Sequence, residues 1–319
     1  MSTLANKNIF VTGGTGLVGS HLVEKLLEIE GAYIVCLVRE KNPKSYFYGQ
    51  GFEERATTVY GDLNDKERIF NIVSAHEIDY IFHVGAQAIV PTSFINPYEV
   101  FTSNIMGTVH IMEAARMCSR VQGVVVASSD KAYGKKCDNA TEENPMAGNH
   151  PYDVSKSCTD LIALTYFHTY QTPVTVSRFG NIYGPGDLNM NRIIPGIMKS
   201  LIEDTTLEVR SDGTFLRDYV YVKDVVDGYI TLAEKMDIAK GEAFNFSSGY
   251  NFSVLELIQK VGDTLNKKVD FTILNNQKNE IPAQSLNFQK AEKMLHWKLA
   301  SSLEESIRET YKWYIEYLK

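Results

Sequence analysis

The stretch Asn8-Ile9-Phe10-Val11-Thr12-Gly13-Gly14-Thr15-Gly16-Leu17-Val18-Gly19 decides the fold of this chain. Its apolar start predicts a strand, and the amphipathic run after it predicts a helix. Of the three glycines spaced three apart, the first permits the turn, the second lets a phosphate approach and the third lets the helix pack on its strand. The N–H groups at the helix N-terminus then suit a pyrophosphate. The stretch predicts a dinucleotide site, rather than a merely structural turn, at Gly13, Gly16, Leu17 and Val18.

The second predicted strand, Tyr33–Val38, ends at Arg39. A cofactor with a free ribose 2′-hydroxyl normally meets an Asp or Glu at this place, whereas a guanidinium suits a 2′-phosphate. Arg39 therefore favours NADP over NAD. The alternative is a solvated loop arginine, because Glu40 and Lys41 follow it.

Two further turns are predicted to contact the cofactor. Asp62 and Leu63 follow the third predicted strand, and the carboxylate either accepts a hydrogen bond from the adenine amino group or caps the next helix. Ala86 lies in the small-residue turn 85–88 after the fourth strand, where little side-chain bulk permits close approach.

A second reactive stretch runs from Val124 to Gly134. Its β-branched residues predict a buried strand that delivers Ser129, Asp130 and Lys131 to its carboxyl end. Successive strand side chains point to opposite faces, so all three reach one ligand only if the strand breaks here. The sequence predicts that Asp130 and Lys131 lie in a turn beyond the last ladder bond.

Tyr152 and Lys156 follow on a predicted long helix. Four residues apart, they share one face of the helix. A phenol titrates near about 10 and a neighbouring ammonium favours its anion, so the pair predicts a base that works at neutral pH.

Strands and helices alternate through the first half of the chain, which predicts an α/β fold with a doubly wound parallel sheet. After Arg178 the pattern changes to shorter, glycine- and asparagine-rich segments. We predict a dinucleotide-binding domain over residues 1–178, to which the chain returns around 219–246. A smaller C-terminal α/β domain that binds substrate is predicted over residues 179–319.

The composition of the 319 residues excludes some classes of protein. A net charge of −7 without a long basic run argues against a nucleic-acid partner. Three scattered arginines, Arg192, Arg210 and Arg217, are candidates for a substrate's phosphates. No apolar stretch approaches the roughly 20 residues that span a bilayer, so we expect a cytoplasmic protein without a membrane partner. The four cysteines are expected to be structural thiols, and no metal site is predicted.

Together these motifs resemble the extended short-chain dehydrogenase/reductase family over nearly the whole chain, and within it the nucleotide-sugar 4,6-dehydratases. Ser129-Asp130-Lys131 is similar to the Thr-Asp-Lys of CDP-glucose 4,6-dehydratases, whereas the dTDP-glucose enzymes carry Thr-Asp-Glu. Further strings that match the CDP-glucose type are Ala86-Gln87, Asn104-Ile105-Met106-Gly107-Thr108, Gly180-Asn181, Gly186-Asp187 and Asn191-Arg192-Ile193-Ile194-Pro195.

The resemblance implies a Rossmann sheet and a homodimer that pairs through the helices near 97–118 and 152–171. It implies substrate contacts at Gln87, Asn181, Arg192 and Arg217. It also implies an internal redox cycle in which Tyr152 takes the sugar O4 proton while hydride passes from C4 to the nicotinamide. Ser129 then hydrogen-bonds O4, and Lys156 holds the ribose and lowers the phenol pKa.

In the implied second half of the cycle, Asp130 donates a proton to the departing 6-hydroxyl. Lys131, or a water that it orients, removes the C5 proton, and hydride returns to C6 to give a 4-keto-6-deoxy sugar. A related enzyme could instead release a 5,6-ene.

Several alternatives stay open. The segment 283–287 lacks the arginine that holds the diphosphate in many relatives. An Asp-Lys pair after the strand, as at 130 and 131, also occurs in dehydratases of UDP-N-acetylglucosamine. The nucleotide of the substrate is therefore undecided. A nucleotide-sugar 4-epimerase needs the glycine turn, Ser129, Tyr152 and Lys156 but no acid and amine at 130 and 131. A more remote alternative is a non-catalytic NAD(P)-sensing protein.

Overall fold

The computed structural model describes residues 2–135, 137–276 and 282–319. Its strands are β1 (Asn8–Thr12), β2 (Tyr33–Val38), β3 (Thr57–Tyr60), β4 (Tyr80–His83), β5 (Gly123–Ala127), β6 (Cys137–Ala140), β7 (Val174–Phe179), β8 (Asn181–Tyr183), β9 (Leu207–Val209), β10 (Leu216–Tyr221), β11 (Ala243–Phe246), β12 (Asn251–Ser253), β13 (Phe271–Ile273) and β14 (Ala283–Leu286).

Its helices are α1 (Leu17–Leu26), α2 (Tyr46–Gly49), α3 (Lys66–Ala75), α4 (Val90–Ile95), α5 (Pro97–Phe101), α6 (Gly107–Met117), α7 (Pro151–Tyr170), α8 (Ile193–Glu203), α9 (Val222–Glu234), α10 (Met236–Ala239), α11 (Val254–Leu265), α12 (Gln289–Leu295) and α13 (Leu303–Tyr317). The segments Phe52–Glu54 and Asp130–Tyr133 form 3₁₀ turns, and Thr102–Met106 forms a π-helical turn.

The first sheet is parallel throughout, in the order β3-β2-β1-β4-β5-β7-β11. β1 pairs with both β2 and β4, so the chain winds outward in two directions from β1. This order confirms the predicted doubly wound fold. In such a sheet ligands bind beyond the carboxyl ends of the strands at the point where the winding reverses, which here lies between β1 and β4.

Helices cover both faces of this sheet, which is why its strands are almost continuously apolar. β5 is buried at every position. On one face Leu22 of α1 and Leu232 of α9 belong to one apolar cluster. On the other face Ile72 of α3 and Ile111 of α6 belong to a second cluster. The strand ends, and the turns that follow them, are left to meet ligands.

The later part of the chain builds a second sheet and also returns to the first. β11 joins the first sheet beside β7, with Phe244 opposite Ser177. The second sheet has the order β12-β10-β14-β6, with β8 also paired to β10, and β13 pairs with β9 separately. A third apolar cluster around Ile197, Leu257 and Ile307 packs α8, α11 and α13 together.

The long helix predicted near 97–118 contains the π-helical turn between α5 and α6. A π turn holds more residues than an α turn and therefore rotates the helix face. Val100 and Met112, on either side of it, are fully buried. Ile105 and Val109 are only half-buried.

The described ranges hold neither a candidate membrane span nor a candidate metal cluster. None of the helices there is long and apolar enough to cross a membrane. In the same residues, no group of three or more His, Cys, Asp or Glu side chains is placed to hold a metal ion.

Candidate active site

One cleft brings the predicted site residues together. It follows the carboxyl ends of the first sheet, continues over part of the second sheet and has a volume of about 1980 Å³. The predicted residues that line it are Gly13, Gly16, Leu17, Val18, Arg39, Asp62, Leu63, Ala86, Gln87, Ser129, Asp130, Lys131, Tyr152, Lys156, Asn181, Arg192 and Arg217. Residues that are distant in sequence therefore share one surface.

The turn after β1 forms a cradle that side chains would fill. Gly13 has a φ of +69°, and a Cβ on it would lie 2.7 Å from the Cα of Gly85. A Cβ on Gly19 would lie 2.0 Å from the Gly13 carbonyl oxygen, so only glycine lets α1 pack this closely. Gly16 precedes α1, and no described side chain caps the helix. The first N–H groups of α1 thus suit the pyrophosphate of a dinucleotide.

Asp62 lies in the cleft beside Leu63 and does not cap a helix. Its Oδ1 accepts a hydrogen bond from the Asn64 N–H at 2.8 Å. α3 is capped instead by Asp65, whose Oδ1 accepts from the Arg68 N–H at 2.9 Å. The helix-cap alternative for Asp62 is therefore wrong, and its bond to an adenine stays a prediction.

Arg39 stands on the wall of the cleft just beyond β2. Its Nη1 lies 3.4 Å from Oε1 of Glu99 on α5, and 61% of its side chain is exposed. An exposed ion pair of this kind is weak. The guanidinium can therefore exchange Glu99 for a ligand phosphate at little cost.

The strand that carries the acid and the amine ends before them. β5 ends at Ala127, and its last ladder bond runs from the Ser128 N–H to the Ser177 carbonyl oxygen at 2.9 Å. Asp130 and Lys131 follow in the 3₁₀ turn. The prediction that they lie beyond the last ladder bond is confirmed.

Three side chains at this turn are joined by hydrogen bonds. Ser129 Oγ donates to Asp130 Oδ1 at 2.9 Å. Lys131 Nζ donates to both Asp130 oxygens, at 3.1 and 3.0 Å. Asp130 is only 2% exposed, and a carboxylate buried so deeply needs such partners. The turn presents an acid and an amine as one paired unit.

α7 carries Tyr152 and Lys156 one turn apart. Lys156 is 5% exposed, its Nζ donates to the Ala127 carbonyl oxygen at 2.7 Å, and burial lowers its pKa to about 8. Burial, followed by the Asp130 carboxylate, raises the pKa of Tyr152 to about 12, although a hydrogen bond with Ser129 opposes the rise. Because the Lys156 amine donates to the strand carbonyl of Ala127, its expected lowering of the phenol pKa stays a prediction.

A buried ion pair behind the turn escapes the sequence motifs. Arg178 on β7 donates to both oxygens of Asp160 on α7, at 2.7 and 2.8 Å. Its Nη1 also donates to the Tyr133 hydroxyl at 2.6 Å, and that hydroxyl donates to Asn245 Oδ1 at 2.8 Å. Tyr133 is the last residue of the 3₁₀ turn, so the pair anchors the turn. The signal for it was a single charged residue inside the buried strand β7.

Asn104 is buried in the π-helical turn. Its Oδ1 accepts from the Gln87 N–H at 2.7 Å, and its Nδ2 donates to the Gln87 carbonyl oxygen at 3.1 Å. The same Nδ2 donates to Ser155 Oγ at 2.9 Å. This amide ties the cleft wall at Gln87 to the helix that carries Lys156.

The second part of the chain contributes cations to the other side of the cleft. Arg192 precedes α8, and its Nη1 lies 3.2 Å from Asp187 Oδ2. Arg217 on β10 donates from Nη1 to the Leu216 carbonyl oxygen at 2.8 Å. The predicted residues on this side are Asn181, Arg192, Arg210 and Arg217.

Gln284 on β14 is a cleft residue that no motif reveals. It lies opposite Arg217 in the register of β14 and β10 and is 2% exposed. Its Nε2 has no hydrogen-bond partner among the described residues. A buried donor without a partner is costly, which suits a group that donates to a ligand. It falls in the segment where many resembling enzymes carry an arginine.

Comparisons with known proteins identify related sequences and structures. A model of the NAD dependent epimerase/dehydratase family matches residues 9–247. The chain is 27% identical over 336 residues to the CDP-glucose 4,6-dehydratase of Salmonella typhimurium, covering 98% of this chain and 92% of the relative.

Two solved structures are similar to the chain over nearly all of both molecules. One is the UDP-glucose 4-epimerase of Thermotoga maritima with UDP-glucose, at a TM-score of 0.87 and 27% identity, covering 98% of this chain and 100% of that one. The other is the dTDP-glucose 4,6-dehydratase of Bacillus anthracis in complex with NAD, at a TM-score of 0.85 and 26% identity, covering 97% of each chain.

Dehydratases and epimerases are thus similar to this chain at comparable levels. The matched family segment spans the glycine turn, the strand tip at Ser129 and the pair Tyr152 and Lys156. The doubly wound sheet and the cleft at its carboxyl ends agree with that match. The chain belongs to the NAD dependent epimerase/dehydratase family, with the extended short-chain dehydrogenase/reductase fold.

Proposed function

We propose that this protein is an NAD(P)-dependent nucleotide-sugar 4,6-dehydratase, which oxidises C4, eliminates water across C5 and C6 and returns hydride to C6. The observation that carries the proposal is the position of Asp130 and Lys131 next to Ser129, paired with each other and inside the cleft. An epimerase needs the hydroxyl, phenol and lysine of this site but has no use for the acid and the amine. Elimination of water uses both.

The oxidation half of the reaction uses Tyr152, Ser129 and Lys156. Tyr152 accepts the proton of the sugar O4, Ser129 hydrogen-bonds that oxygen, and Lys156 holds the cofactor ribose. When bound, the nicotinamide supplies the redox chemistry, accepting hydride from C4 and giving it back at C6. Burial and then the Asp130 carboxylate raise the pKa of Tyr152, so a proton on Asp130 lowers that pKa and favours the phenolate that accepts the O4 proton. The acid and the base of the site are therefore coupled.

The elimination half uses Asp130 and Lys131. The new 4-ketone acidifies the C5 proton, which Lys131 removes directly or through a water that it orients. Asp130 donates a proton to the departing 6-hydroxyl. A shift of one proton across the 3.0 Å contact from the Lys131 ammonium to Asp130 converts the ion pair into a neutral acid and a neutral amine. These are the states that both roles require.

The substrate is a nucleotide sugar of the CDP-glucose or UDP-N-acetylglucosamine type. Arg192 and Arg217 supply charge-assisted hydrogen bonds to the diphosphate. Gln87 and Asn181 contact the substrate nearer the reacting sugar. The cofactor is NADP, which Arg39 favours, or NAD.

The test is a panel of CDP-, UDP-, dTDP- and GDP-sugars incubated with the enzyme in deuterated water. Mass spectrometry is expected to show that the product has lost one water, and NMR that it carries one deuterium at C5. Asp130→Asn, which keeps the shape but cannot donate the proton, is expected to slow product formation by about 10²–10⁴. A product that retains O6 and has no deuterium at C5 contradicts the proposal.

A nucleotide-sugar 4-epimerase is the second candidate, and the similarity to the Thermotoga maritima UDP-glucose 4-epimerase favours it. It would use Ser129, Tyr152 and Lys156 alone. In the same panel of nucleotide sugars, epimerase activity is identified by a product that is inverted at C4 and retains O6. The variant Asp130→Asn would then keep its activity.

A further inference from the structure

The side-chain amide of Gln284 is a buried donor that the proposed reaction leaves unused. Gln284 lies on β14, is 2% exposed and lines the cleft together with Arg217. Its Nε2 has no hydrogen-bond partner in the part of the chain that the structure describes. An unpaired buried donor is costly to a fold. A ligand that brings an oxygen atom to this place removes the cost.

The strand order places Gln284 between two parts of the cleft that the proposed function uses. β14 lies between β10 and β6, and Gln284 is opposite Arg217 on one side and Cys137 on the other. Opposite residues of neighbouring strands share a face of the sheet. Cys137 Sγ donates to the Asp130 carbonyl oxygen at 3.4 Å, so this strand end packs against the turn that carries the acid.

The proposed substrate, on which this inference rests, then brings a particular group to Gln284. Neighbouring strands lie about 4.8 Å apart, so the backbones at Arg217 and Cys137 are about 10 Å apart. Arg217 is assigned to the diphosphate and Asp130 to C6 of the sugar. The atoms between these contacts are the phosphate joined to the sugar and the near side of the sugar ring. Of these, the charged phosphate oxygens are the strongest acceptors.

We propose that Gln284 is a substrate-binding residue whose Nε2 donates a hydrogen bond to the phosphate joined to the sugar. In a nucleoside diphosphate without a sugar, this is the second phosphate. The phosphate takes no part in the oxidation or the elimination, so the contact is the same in the substrate and in the transition state. Gln284 therefore sets the affinity for the substrate and not the rate of its conversion.

The test measures dissociation constants by calorimetry on the full chain. The probes are CDP, UDP, dTDP and GDP and the four corresponding monophosphates. Gln284→Met keeps much of the side-chain volume but has no donor, and Gln284→Glu brings a negative charge. We expect Gln284→Met to weaken the tightest-binding diphosphate by about tenfold or more, the effect of losing a hydrogen bond to a charged group, and Gln284→Glu to weaken it further. The monophosphate of the same base lacks the second phosphate and is expected to bind all three proteins equally.

Stability and kinetics separate this role from a structural one. Because Nε2 has no partner in the fold, Gln284→Met is expected to unfold at no lower temperature than wild type. With the nucleotide sugar, KM is expected to rise about tenfold while kcat stays the same. Gln259→Met, at an exposed position on α11, is the control and is expected to change neither affinity nor kinetics.

Two results overturn the proposal: unchanged diphosphate binding in Gln284→Met, or equal weakening of diphosphate and monophosphate. Wild type that binds none of the four diphosphates also overturns it. Failure of the proposed dehydration looks different. In that case the diphosphate is still weakened selectively in Gln284→Met, while the wild type removes water from no sugar of the panel.

Discussion

Lys156 is a charged residue placed where burial opposes its charge. Burial lowers its pKa from an ordinary 10.5 to about 8. Below pH 8 the folded state must hold a buried ammonium, which costs about 3 kcal/mol at 1.36 kcal/mol per pKa unit. Between about pH 8 and 10.5 the unfolded chain binds this proton and the folded chain does not, so this contribution to stability rises with pH. The amine is kept at the cleft at the expense of stability.

Lys156→Met is predicted to abolish activity and to stabilise the fold at pH 7 by about 1–3 kcal/mol. The gain is reduced by loss of the hydrogen bond to the Ala127 carbonyl oxygen. The difference from wild type is expected to shrink by about pH 9.5, as the wild-type amine loses its charge. Urea unfolding at both pH values measures this, with Lys312→Met on the exposed face of α13 as the control. A variant less stable than wild type at pH 7 would contradict the prediction.

Arg39 is predicted to set the cofactor preference. Arg39→Ala is expected to weaken NADP binding by about tenfold or more, because a charge-assisted hydrogen bond contributes about 1.5–3 kcal/mol. The affinity for NAD is expected to stay nearly unchanged. Glu99→Gln removes the competing carboxylate 3.4 Å from the guanidinium and is expected to strengthen NADP binding. Dissociation constants of both cofactors check this, and an unchanged preference in Arg39→Ala counts against the role.

At the scale of elements, the pair Arg178 and Asp160 joins β7, α7 and the turn that carries Asp130. Arg178→Met leaves the Asp160 carboxylate buried without its cation, and is predicted to destabilise the fold by about 3–5 kcal/mol. Lys25→Met, which breaks the exposed pair of α1 with Glu28, is the matched control and is expected to cost less than about 1 kcal/mol. Denaturant unfolding compares the two, and equal losses would show that the buried pair adds nothing.

Elements whose conformation depends on residues close in sequence could be predicted from the sequence. Elements whose conformation depends on contacts between distant parts of the chain could not. The strand, turn and helix from Asn8 to Leu26 follow from the glycine spacing, and the break after Ser129 follows from alternation along a strand. The π-helical turn was missed because the partners of Asn104 come from distant parts of the chain, Gln87 from the turn after β4 and Ser155 from α7.

At the scale of the whole molecule, parallel topology explains why so much of the cleft could be predicted. Each strand of a doubly wound sheet presents its carboxyl end at the same edge, so the residue after a strand can be assigned to that edge. Arg39 and Asp62 follow this rule. Gln284 does not, because β14 meets β10 across a long gap in sequence. The chemical roles of the residues remain predictions.

We predict that the homodimer expected from the family resemblance forms through one exposed surface of the molecule. Large apolar side chains are exposed on α5, the π-helical turn, α6 and α7, namely Tyr98, Met106, Met117, Leu161 and Tyr170. Single exposed apolar residues are common, but α5, α6 and α7 pack against one another, so these side chains can contribute to one association surface. A homodimer that pairs these helices about a two-fold axis buries the same patch on both copies.

Leu161→Arg is predicted to convert this dimer into a folded monomer. Leu161 is 56% exposed in the single chain, so an arginine fits there without disturbing the core. At a two-fold interface each copy brings the new charge, and both must lose their water without a partner. Ile238→Arg on α10, where the residue is 49% exposed, is the control and is expected to leave the dimer intact. Light scattering gives the assembly and thermal unfolding gives the fold. A monomeric wild type would refute the interface but not the chemistry, since residues of one chain line the whole cleft.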